Sequence, residues 1–147
     1  MENTVHYIKI AITAVGAVVG AFLGGRDTLV QALLAFVIAD YISGVLKAIM
    51  LKKLNSEVGF VGICKKVLIF VFVGIGNIID TQILKNGATI RTAIIFFYIA
   101  NEGISLIENA SVLGLPVPNS LKKVLEQIRS RGGDTEEDNK DKQNSSK

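Results

Sequence analysis

Four long apolar runs, each closed by a short polar connection, restrict this chain more than any other feature of its sequence. They cover Ile8 to Leu23, Leu29 to Leu51, Val67 to Leu84 and Ile90 to Leu115. At a rise of about 1.5 Å per residue the first would make a helix roughly 24 Å long and the second roughly 34 Å, against a hydrocarbon core of about 30 Å. Lys9 can snorkel at the end of the short first helix, and the second is long enough to span with tilt. Half of the chain is hydrophobic, yet Trp is absent and aromatic residues make up only 7%. The apolar mass is therefore Val, Ile, Leu, Ala and Gly, which suits lipid-facing helices better than a compact aromatic core. The expected fold class is all-α: an integral membrane protein with a transmembrane helical domain of four spans over residues 1–117, a basic amphipathic interfacial helix over 118–131 and a disordered charged tail over 132–147.

The punctuation between the runs supports this division. Gly24-Gly-Arg-Asp27 makes a tight turn, after which Thr28 can cap the second helix. Residues from Lys52 to Gly62 read as a loop that closes with Lys65-Lys66, and Lys85-Asn-Gly87 turns the chain again, with Gly87 the left-handed residue. Pro116 and Pro118 end the fourth run. Asn119 or Ser120 then caps a short helix in which Leu121, Val124, Leu125 and Ile128 share a face flanked by Lys122, Lys123, Arg129 and Arg131. Such a helix reads as lying on an anionic membrane surface, with a solvated or partner-binding helix as the alternative. Beyond Gly132 there is no large apolar residue, hence the expectation of disorder. A cleaved signal peptide ending at Ala21 is disfavoured, because Glu2 offsets Lys9 and more hydrophobic segments follow.

Basic residues outnumber acidic ones 13 to 8 up to residue 131, and the balance reverses to 3 against 5 in the tail. With four spans, Lys9, Lys47, Lys52, Lys53, Lys65, Lys66 and the basic C-terminal helix share one side, and the positive-inside rule places both termini in the cytoplasm. The fourth segment is the weak one, since its uninterrupted apolar run is only Thr92 to Ala100; three spans are the alternative.

Polar residues inside these helices cost a few kcal/mol each at mid-bilayer unless they face protein or water. Asp40 lies at the middle of the second helix, with Ser43, Gly44 and Lys47 continuing its face; Gly74, Asn77 and Asp80 form a stripe on the third; Tyr98, Asn101, Glu102, Ser105, Glu108 and Asn109 form one on the fourth. Counting residues from each helix start suggests three layers: Asp80 with Arg91 or Lys85, Asp40 and Glu102 satisfied by Asn77, Tyr98, Asn101 or a shared proton, and Lys47 with Glu108. These residues either hold one bundle together or line water in an assembled pore and respond to the membrane potential. Gly16, Gly20 and Gly24 recur at every fourth position, and with Gly44 they offer small faces for close helix packing, within or between subunits.

Enzyme chemistry finds no support. One cysteine, Cys64, and one histidine, His6, exclude an internal disulfide and leave too few ligands for a zinc site. There is no Ser-His-Asp set and no HExxH, and Gly74-Ile-Gly76 lacks both a third glycine at Ile79 and a preceding strand. No cofactor, metal or nucleic-acid partner is expected.

Asp40-Tyr-Ile-Ser-Gly44, Lys65-Lys66 leading into an apolar helix that ends near Asp80, and above all Asn101-Glu-Gly-Ile-Ser-Leu-Ile-Glu-Asn109 followed by Gly114-Leu-Pro-Val-Pro118 are similar to the toxin-secretion and phage-lysis holin family of Gram-positive bacteria and their phages. The resemblance covers roughly residues 25–130. It implies a homo-oligomer in the cytoplasmic membrane that permeabilises it abruptly, letting an endolysin or a large toxin leave the cell without necessarily touching it. Some members use two nearby start codons; here the next methionine after Met1 is Met50. An ion or small-solute channel or transporter subunit, or a membrane scaffold recruiting a partner through residues 119–131, would use the same features differently.

Overall fold

In the computed structural model, which describes residues 2–25, 27–85 and 87–133, the chain is all-helical. Its elements are α1 (Glu2–Phe22), α2 (Thr28–Met50), α3 (Ser56–Ile78) with a π-helical extension (Ile79–Leu84), α4 (Thr89–Val112) and α5 (Asn119–Gly133). Four of these, with the π-helical turn counted into the third, are long and apolar enough to cross a membrane. The expected tail disorder falls on residues outside those described, apart from Gly132 and Gly133, which end α5.

Local chemistry sets the helix ends. Asp27 caps α2, its Oδ1 accepting from the Val30 N–H at 2.9 Å. Asn55 caps α3 in the same way, accepting from the Glu57 N–H at 2.8 Å. This cap starts α3 at Ser56 rather than Val67, so the expected Lys52 to Lys66 loop shrinks to Leu51–Asn55 and Lys65-Lys66 lie inside a helix. α4 stops at Val112, short of Leu115, because Gly114 turns left-handed (φ +82°) and the Leu115 N–H returns to the Ala110 carbonyl at 3.0 Å.

The core lies between α2, α3 and α4, where Val30, Leu33, Val37, Ile69, Val73, Ile95 and Ile99 pack together. The outside is apolar as well: Leu34, Ile38, Ile42 and Leu46 on α2, and Phe60, Val67, Leu68 and Phe72 on α3, are exposed. A surface this oily around an interior that holds charges is the arrangement lipid selects, because burying Leu from lipid brings little gain and close packing and polar ties must hold the helices.

α1 stands apart from this bundle. Every residue from Thr4 to Val19 is exposed, and the helix is fixed only at its C-terminal end. There the Phe22 ring lies on Gly74, where a Cβ would sit 1.9 Å from a ring carbon, and the Asn77 side chain donates to the Phe22 carbonyl at 3.2 Å. A cleft of about 600 Å³ separates α1 from α2 and α3, with Gly16 and Gly20 on one wall and Leu34 and Phe70 among the residues of the other. α5 folds back on α4: Leu125 is buried with Ile104 and Ile107, close over Gly103, while Leu121 and Val124 remain exposed.

Candidate functional site

Two polar layers cross the bundle, separated along the helices by roughly 16 to 21 Å at the α-helical rise. The layer nearer the α2–α3 loop, called inner for its place in the chain's turns and not for a side of the membrane, is centred on Lys66 of α3. Its ammonium donates to Asp40 of α2 at 2.7 Å and to Glu102 of α4, so one cation ties three helices. Asn109, 4% exposed, extends the network: its Nδ2 donates to Asp40 Oδ1 at 3.1 Å and to Ser43 Oγ at 3.0 Å, and its Oδ1 accepts from Lys47. Ser43 in turn donates to the Asp40 carbonyl at 2.9 Å. Beside this network a cleft of about 340 Å³ opens between α2 and α3.

The outer layer is built on backbone groups. Asp80, 1% exposed, sits in the π-helical turn and accepts from the N–H groups of Ile90 at 3.0 Å and Arg91 at 2.8 Å, capping α4 from another element. Ala88, which precedes α4, offers no side-chain cap of its own. The Arg91 guanidinium points the other way, donating from Nε to the Leu23 carbonyl and from NH1 to Asp27 at 2.6 Å. Its remaining NH2 is buried with no partner among the described residues. The hydrogen bond from Arg91 and the Val30 N–H hold the Asp27 carboxyl below its ordinary range. Gly24 (φ +83°) passes so close that a Cβ would lie 2.5 Å from Asn77 Oδ1 and 2.7 Å from Arg91 Nε, so any other residue would strain the left-handed backbone and displace both side chains.

The expected pairings are therefore corrected in each layer. Asp80 pairs with neither Lys85, which is exposed, nor the Arg91 guanidinium; it accepts from the Arg91 backbone N–H, because the first N–H groups of α4 have no acceptor within their own helix. Lys47 meets Asn109 and not Glu108, which lies on the exposed side of α4. Asp40 and Glu102 share Lys66; Asn77 is instead bonded to Phe22, and Tyr98 stacks near Phe72. Asn101 and Ser105 are half-buried, and Ser105 lines the α2–α3 cleft. Of the small residues, Gly44 lies 3.7 Å (as a would-be Cβ) from Asn109 Nδ2, whereas Gly16 and Gly20 meet nothing within 4 Å. Packing glycines within the chain are Gly24, Gly74, Gly76 and Gly103.

Sequence reasoning missed Lys66 and Asp27, reading Asp27 only as part of the turn before a Thr28 cap. For Lys66 the signal was present: stepping back from Asp80 by threes and fours gives Gly76, Val73, Ile69 and Lys66, all on one α-helical face.

The bacteriophage holin family model matches residues 17–130. The chain belongs to the bacteriophage holin family. Among relatives of this holin-family chain, an uncharacterised protein of Listeria innocua is 45% identical over 130 residues, covering 88% of this chain and 92% of its own. A protein named probable holin from Bacillus phage phi105 is 37% identical over 110 residues, covering 75% of this chain and 81% of its own. An uncharacterised 14.9 kDa protein of Clostridium perfringens is 41% identical over 132 residues, covering 89% and 99%. No solved structure matches. Membership of this family together with four apolar helices makes the chain a multi-pass membrane protein.

Proposed function

We propose that this chain acts as a holin: it accumulates in the bacterial cytoplasmic membrane with both termini inside, self-associates, and permeabilises the membrane so that an endolysin or a large toxin leaves the cytoplasm. The observation that carries the reading is the inner layer in a holin-family bundle. Asp40, Glu102 and Asn109 find their partners inside a single chain, with Lys66 bridging the two carboxylates and Lys47 held by Asn109 alone, so most of the polar cost of a monomer in lipid is met internally. The same groups become the lining of a water-filled opening once helices exchange neighbours. α1 supplies the means of association, since Thr4 to Val19 are exposed and a Cβ on Gly16 or Gly20 would meet nothing within 4 Å. Asp27, Asp80 and Arg91 hold the outer ends of the helices while the inner ends rearrange.

The test is inducible expression with a separately expressed endolysin. Abrupt, time-programmed lysis supports the proposal, and delayed or advanced lysis in Asp40→Asn/Glu102→Gln at equal protein level ties it to the inner layer. Steady ion conductance with the endolysin retained would instead mark a channel and overturn it.

A further inference from the structure

We propose that the cleft between the C-terminal half of α2 and the N-terminal half of α3 binds one anionic phospholipid, with its phosphate at Lys47 and Lys53 and an acyl chain along Gly59 and Gly62. The cleft exists because the two helices are joined by a short loop yet held apart. A Cβ on Gly62 would meet nothing within 4 Å, and one on Gly59 would reach only Tyr41 Oη at 4.0 Å. Protein atoms thus leave about 340 Å³ unfilled, walled by Val45, Ala48 and Val58 as well as these glycines. Ile42 and Leu46 of α2 and Phe60 and Ile63 of α3 are exposed and apolar, so the surroundings of the cleft are lipid-facing.

The charges select the ligand. Lys66 at the inner end is matched by Asp40 and Glu102. Lys47 is not matched: its partner is the neutral Asn109 side chain, which leaves two of the three ammonium donors without a partner among the described residues. Lys53, also on the lining, is exposed and forms no ion pair among the described residues. The carboxylate lining the cleft is Asp40, already held by Lys66 and Asn109; Glu57, on the first turn of α3, is exposed and outside the lining. A half-buried ammonium beside apolar walls calls for an anion, and the walls call for a hydrocarbon chain attached to it. An anionic phospholipid has both, and a free phosphate has only one. Because Lys47 also holds Asn109, and through it Asp40, occupancy of the cleft couples lipid composition to the inner layer.

The inference rests on the membrane-spanning reading but not on lysis, and it is tested on the purified full-length chain. Native mass spectrometry in neutral detergent, with phosphatidylglycerol or phosphatidylcholine titrated in, should show one retained phosphatidylglycerol at about thirtyfold preference, the size expected for two lysines near an anionic headgroup. Lys47→Gln/Lys53→Gln should abolish the preference and Lys53→Gln alone should reduce it, the single variant leaving the Lys47–Asn109 contact in place. Gly62→Leu should lower retention of both lipids with both lysines intact, and Lys122→Gln/Lys123→Gln should change nothing. Circular dichroism checks that each variant keeps its helices. Equal retention of the two lipids by the wild type would overturn the proposal, as would equal losses in the cleft and α5 variants or displacement by glycerol phosphate. A chain that passes these tests yet fails to lyse cells refutes the holin reading alone.

Discussion

Replacing Lys66 with methionine isolates what the inner layer is worth. Methionine keeps most of the length and apolar stem of lysine, so little cavity is left and the change is electrostatic. Asp40 and Glu102, whose side chains are each 12% exposed, would then face each other with Asn109 as the remaining side-chain donor to Asp40. Removing one partner of a buried pair costs about 3 to 5 kcal/mol. The bundle has one escape, which is to take up a proton on a carboxylate; at neutral pH that costs roughly 4 kcal/mol for an ordinary carboxyl group. The two routes agree, so the expected loss is about 4 kcal/mol at pH 7. It should shrink by about 1.4 kcal/mol per unit as the pH is lowered towards 5. Unfolding by sodium dodecyl sulfate from neutral micelles, followed by helix circular dichroism, measures both values. The triple variant Asp40→Asn/Lys66→Met/Glu102→Gln should recover most of the loss, since no uncompensated charge remains. A Lys66→Met protein as stable as the wild type, or a triple variant no better than the single one, would refute the reasoning.

Asn109→Leu should cost about 2 to 3 kcal/mol by stranding Lys47 and removing a donor from Asp40, while Glu108→Gln one residue earlier should leave unfolding unchanged in the same assay. Gly76→Ala should destabilise by about 1 to 3 kcal/mol, because its Cβ would lie 3.1 Å from the Arg91 Cα, a backbone atom that cannot swing aside. Gly16→Leu/Gly20→Leu should unfold like the wild type, having open space for the new side chains, but show fewer cross-linked oligomers in membranes and delayed lysis. The Asp27 carboxyl is held below its ordinary range by Arg91 and the Val30 N–H. Its contribution is therefore present above the ordinary carboxylate value and lost as pH falls through the lowered one. Stability measured downward from pH 5 should decline in the wild type, and Asp27→Asn should flatten that part of the profile. Asp27 is 43% exposed, so the effect will be modest.

Much of the fold was legible because lipid imposes a length requirement that apolar runs display directly. The N-terminal half of α3 was not. Val58, Gly59, Phe60 and Val61 are apolar, but two glycines and the lysine pair read as loop, and only the Asn55 cap shows that the helix has already begun. Moving that start to Ser56 places Lys66 one long helix-face stripe below Asp80, and the counter-ion for Asp40 and Glu102 follows. Depth counting put Asp40 and Glu102 at a common level and failed for Lys47 and Glu108. Level does not fix azimuth: Glu108 and Asn109 are adjacent in sequence but about 100° apart around the helix at 3.6 residues per turn, and only Asn109 faces α2.

The two layers differ in what their bonds are made of, and that difference bears on how such a bundle opens. In the outer layer Asp80 holds two backbone N–H groups, Arg91 and Asn77 hold backbone carbonyls, and Asp27 holds the first turn of α2. Breaking these ties would leave backbone groups at fixed positions on their helices in need of new partners, and among the described residues only the Arg91–Asp27 ion pair in this layer joins side chain to side chain. The inner ties between helices join side chain to side chain: Lys66 to two carboxylates, and Asn109 to Asp40, Ser43 and Lys47. Each can be exchanged for an equivalent group on a neighbouring chain with no helix unwinding. Under the proposed holin function these ties exchange before those of the outer layer, so the bundle is expected to loosen from the side on which Lys47, Lys66, Asp40 and Glu102 lie.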